Sequence, residues 1–133
     1  MIQLTPIAIA ATSQQYDVRV VENLCQAYCL TQDIQPAYTI SFVAGTPTVV
    51  DGTAFVTITV NGTVTYKPYG CGCNSKVKQF TESFQVAFVG TGTPTISLVV
   101  GSQMSGAENV KCCNKAYGYG ISTNLTITAT FPA

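Results

Sequence analysis

From Thr53 to Val60 an apolar side chain falls on every second position, Ala54, Val56, Ile58 and Val60. That period of two is the signature of a strand with one face in a core and the other facing out. Ala37 to Val43 repeats it with Tyr38, Ile40 and Phe42. The longest run, Ile121 to Phe131, puts Ile121, Leu125, Ile127, Ala129 and Phe131 on one side. Ser122, Asn124, Thr126, Thr128 and Thr130 fall on the other. Further strands are expected near Ile2 to Ala10, Tyr16 to Leu24, Thr63 to Lys67, Gln79 to Val89 and Pro94 to Val100. Thr and Val recur throughout, and β-branched side chains suit a pleated, half-buried surface better than a helix.

Turn signals separate these runs: Gly45-Thr46-Pro47, Asp51-Gly52, Asn61-Gly62 and Gly90-Thr91-Gly92-Thr93-Pro94. About eight or nine short strands at this spacing, with no helical periodicity, predict an all-β chain. The expected fold is an antiparallel β-sandwich, immunoglobulin-like or jelly-roll-like, forming a single domain over residues 1–133. A β-trefoil is the alternative. It draws on a weak internal echo between Phe42 to Thr48 and Phe88 to Thr95, on a second between Val21 to Cys25 and Ala107 to Cys112, and on three cysteine pairs spaced through the chain.

Composition narrows the function. Only 9% of the residues are charged, six basic against six acidic, and there is no histidine. Zero net charge removes the basic footprint that nucleic acid requires. Without imidazole there is no Ser/His/Asp or Cys/His pair and no histidine-ligated metal. The acids Asp17, Glu22, Asp33, Asp51, Glu82 and Glu108 form no paired motif, and no phosphate-cradling glycine loop is present. The chain is therefore expected not to be an enzyme. No run approaches a membrane span. Met1 to Thr12 lacks the positive start and unbroken apolar run of a signal peptide, so synthesis in the cytosol without a cleaved leader is expected.

The six cysteines fall in close pairs, Cys25/Cys29, Cys71/Cys73 and Cys112/Cys113. If the strands reverse at each turn, all three pairs gather at one pole of the sandwich, where disulfides or a thiolate zinc site would staple it. Lys67, Lys76, Lys78, Lys111 and Lys115 lie close to the second and third pairs, and nearby ammonium groups favour thiolate. The spacings are not those of zinc knuckles, and adjacent Cys112 and Cys113 suit bonding to different partners better than to each other. Intramolecular disulfides, bridges between subunits, zinc and simple buried thiols all stay open. No other cofactor is expected.

Tyr69, Tyr117 and Tyr119 sit beside glycines and are candidates for a sugar- or receptor-contacting loop. Asn61-Gly62-Thr63 and Asn124-Leu125-Thr126 match the glycosylation sequon, which carries weight only in a secreted chain. Residues 1 to 60 are net acidic and residues 61 to 133 net basic, a polarity that suits docking on a lattice. Low charge overall weakens repulsion between copies.

A small, histidine-free, Thr/Val-rich β domain punctuated by Gly45-Thr46-Pro47-Thr48 resembles the auxiliary or decoration proteins that tailed bacteriophages place on their capsids. The cysteine pairs resemble those of bacterial spore-appendage subunits, although those carry cysteines in an N-terminal connector and this chain has its first at Cys25. The phage resemblance implies a structural protein at a virion surface, whose partners are copies of itself or a lattice such as a major capsid protein, with no nucleic acid and no membrane. A self-polymerising extracellular appendage subunit and a carbohydrate- or receptor-binding module are the alternatives. Met1 to Ala11, apolar and without a clear hairpin partner, is the candidate lattice or donor strand.

Overall fold

A computed structural model describes residues 1–29, 36–68, 75–111 and 115–132. Among them the chain is all-β, with eight strands in two antiparallel sheets and no helix. β1 (Ile2–Ile9) and β2 (Ser13–Cys29) form a hairpin; β7 (Thr95–Lys111) and β8 (Lys115–Thr130) form another. β2 pairs with β8, so the first sheet runs β1-β2-β8-β7 and is built from both ends of the chain.

The middle of the chain makes the second sheet. β5 (Thr53–Tyr66) is its centre, β6 (Lys76–Val89) lies along one edge, and β3 (Ala37–Ala44) and β4 (Thr48–Val50) line the other end to end. Pro47 sits in the break between β3 and β4, an edge position where its missing N–H costs no ladder bond. Asp51 and Gly52 turn β4 into β5, both with positive φ, the conformation that a two-residue hairpin loop demands.

The core lies between the sheets. β5 contributes Val56, Ile58, Val60 and Val64, β8 contributes Ile121, Leu125 and Ile127, and β2 contributes Val18 and Val20, all essentially solvent-free. Each such side chain stabilises the fold by about 1.5–3 kcal/mol relative to exposure. Edge strands add half-buried neighbours: Ile2 and Leu4 from β1, Ile40 and Phe42 from β3, Ile96 and Leu98 from β7. The expected alternation of Ile121 to Phe131 is realised, with Leu125 and Ile127 inward and Asn124 and Thr126 outward.

Four expectations are corrected. Two separate sheets replace a trefoil. Asn61-Gly62 is no turn; it lies within the unbroken β5, where a Cβ on Gly62 would fall 2.3 Å from the Phe80 ring and from the Thr39 carbonyl oxygen. The glycine makes room for an aromatic ring. Met1 to Ala11 does have a hairpin partner, since Gln3 faces Arg19 and Thr5 faces Asp17 across the β1–β2 ladder. Finally, β7 continues past Val100 to Lys111, because a bulge between Val100 and Gln103 resets its alternation rather than ending it.

Candidate functional site

Tyr117 and Tyr119, expected in a loop, are strand residues. Tyr117 and Tyr119 lie within β8, and Tyr119 is 6% exposed, pointing into the core with its hydroxyl 2.7 Å from Ser105 Oγ. The neighbouring glycines, read as loop residues, belong to the opposite face of the same strand. Tyr69 lies outside the described residues, as do Cys71, Cys73, Cys112 and Cys113. Cys25 and Cys29 are on β2, with side chains outside the described set.

The flanking strands are described, and their ends converge. Cys29 faces Lys115 across β2–β8, Lys111 faces Lys115 across β7–β8, and Tyr66 faces Lys76 across β5–β6. The Tyr28 and Tyr66 rings, 6.3 Å apart, join the two sheets at this end. Tyr28 donates a hydrogen bond to the Gly118 carbonyl at 3.0 Å, and burial pushes its hydroxyl up to about 12. Among the described residues no cluster of three or more metal-ligating side chains forms, and no helix is long and apolar enough to cross a membrane.

The two outer faces differ sharply. On the second sheet, the outward positions of β3, β4, β5 and β6 carry no charged residue. Ser41, Asn61 and Thr81 face one another in one row, Thr39, Thr63 and Gln79 in the next. The polar side chains pair among themselves: the Thr81 hydroxyl donates to the Asn61 amide oxygen Oδ1 at 2.9 Å, and the Thr39 and Thr63 hydroxyls are 2.8 Å apart. Around this array Val43, Val50, Val77 and Val89 are exposed, the last at 68%.

On the first sheet, a cavity of about 410 Å³ lies across all four strands. Its rows follow the register, Gln3–Arg19–Ser122–Met104 in one and Thr5–Asp17–Asn124 in the next. Opposite Asn124 the β7 bulge places Gly101, which leaves that end of the row without a side chain. Thr123, buried beneath, donates its hydroxyl toward the Gly101 and Ser102 carbonyls, each at 3.1 Å, and holds the bulge in place. Arg19 pairs with Glu108 and lies 3.4 Å from Ser122 Oγ. A Cβ on Gly120 would meet the Glu108 carboxylate at 2.8 Å, so the ion pair rests on a strip of bare backbone.

A third feature closes the seam between the sheets. The Met1 amino group is 2.7 Å from Glu82 on β6 and 3.5 Å from Glu22 on β2. Glu22 Oε1 is buried without a hydrogen-bond partner. Burial, reinforced by the nearby Glu82 carboxylate, raises the Glu22 pKa, whereas the hydrogen bond from the Met1 ammonium holds Glu82 below the usual range.

No protein-family model matches the chain, and no curated protein or solved structure resembles it closely enough to count as a match. Function is therefore argued from these surfaces.

Proposed function

We propose that the chain is a non-enzymatic structural protein that acts within an assembly, docking to copies of itself or to a protein lattice. The finer reading is a virion auxiliary protein that cements a capsid. One observation carries it: the whole outward face of β3 to β6 is uncharged and bordered by exposed valines. Exposed sheets in free-standing proteins use charges, especially lysine, to discourage association. Here nothing on that face opposes it, and the threonine methyls supply apolar area. Many weak contacts of this kind, repeated around a lattice, sum to a stability that no single pair provides.

Electron microscopy and sedimentation of the purified chain, with and without reductant, test this. The expected result is association that rises with concentration and is lost in Thr59→Lys and Thr81→Lys, with the melting temperature unchanged. Filaments that shorten on reduction would favour the appendage subunit, with cysteines linking copies. Association that survives both lysines would remove this face from the proposal, and a chain monomeric at every concentration would leave only a foreign lattice as partner.

A further inference from the structure

The cavity on the opposite sheet is not explained by assembly, and its chemistry selects a ligand. It lies on the face of a sheet whose backbone groups are spent in the β1-β2-β8-β7 ladders, so an added strand finds no donors or acceptors there. Whatever binds is held by side chains. The lining carries one acid, Asp17, and one base, Arg19, and the base is already paired with Glu108 beside the groove, so the lining offers an anion no unpaired cation. The volume falls in the ordinary range for small-molecule sites, about 300–1,000 Å³.

Asp17, Asn124 and Gln3 have no side-chain partner among the described residues, although Asp17 and Asn124 face each other directly. A carboxylate offers only acceptors, an amide both donors and acceptors, and the arginine only donors. Beside these polar tips lie Thr5 and, at the rim, Met104, which is 74% exposed and supplies the apolar surface, while Val18 lies beneath with its side chain in the core. Polar groups set around apolar surface match a molecule with a ring of hydroxyls and a hydrocarbon face. The lining is also preorganised, since Thr123 holds the bulge and Glu108 holds the arginine.

We propose that this groove is a binding site for a neutral saccharide, with Asp17 and Asn124 taking adjacent hydroxyls, Arg19 and Gln3 a third, and Met104 the hydrocarbon face. The site stands apart from the uncharged face and from Tyr117 and Tyr119, and does not depend on the assembly reading.

Saturation-transfer NMR and titration calorimetry on the full chain, against a panel of neutral oligosaccharides (lactose, cellotriose, maltotriose and an N-acetylglucosamine dimer) together with sialylated and sulfated counterparts, decide it. A neutral member should bind, and Asp17→Ala and Asn124→Ala should each weaken it by at least about tenfold. Ser122→Tyr, which fills the groove, should abolish binding, and Thr91→Ala in the connection between β6 and β7 should leave it unchanged. Circular dichroism and melting curves confirm that each variant is folded. A panel silent at millimolar concentration, binding that survives loss of both Asp17 and Asn124, or preference for the acidic sugars would each overturn the proposal.

Discussion

Both sheets are antiparallel and both cover the same core, yet their outer faces have diverged. One carries hydroxyls and no charge. The other carries an aspartate, an arginine and a glutamate around a cavity. Their construction differs in the same sense. The uncharged face sits on a meander whose central strand, β5, runs fourteen residues without a register break. The grooved face sits on strands interrupted by bulges at Pro6/Ala8, Asn23/Tyr28 and Val100/Gln103. Bulges bend strands and re-aim side chains, so the irregular sheet holds the concavity and the regular one presents an extended array. An extended uncharged face suits a large partner, and a concave polar one suits a small molecule.

Substitutions at the foundation of each face test this contrast most severely. Gly62→Ala forces a Cβ into the Phe80 ring and the Thr39 carbonyl, so the regular sheet should lose about 1–3 kcal/mol in urea denaturation. Gly106→Ala in β7 is the matched control, since a Cβ there meets nothing within 4 Å; its stability should stay within about 0.5 kcal/mol of the parent. Equal losses at the two sites would mean that the Phe80 ring and the Thr39 carbonyl do not crowd Gly62.

A smaller loss is expected from Thr123→Val, which keeps the side-chain shape but strips the hydroxyl from the Gly101 and Ser102 carbonyls. The cost should be about 1–2 kcal/mol. Proton exchange should speed up selectively around the bulge, with β5 amides unchanged.

The seam gives the smallest effect, and its sign depends on pH. A carboxyl whose pKa is raised on folding makes the protein more stable as pH falls through that raised value, and costs stability above it. Glu22→Gln removes that cost, so it should melt higher than the parent at neutral pH, with the gap closing on acidification. Glu82 acts the other way: its pKa is lowered, so its contribution is present at neutral pH and lost only below the ordinary carboxylate range. A Glu22→Gln gain that is the same at pH 4 and pH 7 would show that ionisation at this carboxyl is not its source.

How much of this was readable in the sequence varied by element. β8 was plain from Ile121 onward because a central strand with one buried face must alternate, yet Thr123 went unnoticed inside that run. A threonine on the core face looks like noise until the bulge it caps is seen. Asn61-Gly62 reads as a turn, yet the dipeptide is a turn signal only when no aromatic ring needs the space over the glycine. Tyr117-Gly118-Tyr119-Gly120 misled for a related reason: its glycines serve the Arg19–Glu108 pair, while Tyr119 belongs to the core. The groove joins residues from β1, β2, β7 and β8, and no local pattern announces a site gathered from opposite ends of a chain.

That gathering constrains how the molecule comes into being. The sheet of β3 to β6 is built from one continuous stretch of the chain and can form early. β2 pairs with β1 first but cannot gain its second partner until β8, about 90 residues further along the chain, has appeared, and until then Val18 and Val20 have only part of their sheet. A chain that stops short of β8 would carry a finished meander and an unsatisfied hairpin, open to any passing strand edge. The pairing of the first hairpin with β8 thus serves as a check on folding, since only a chain that carries β8 covers the second edge of β2.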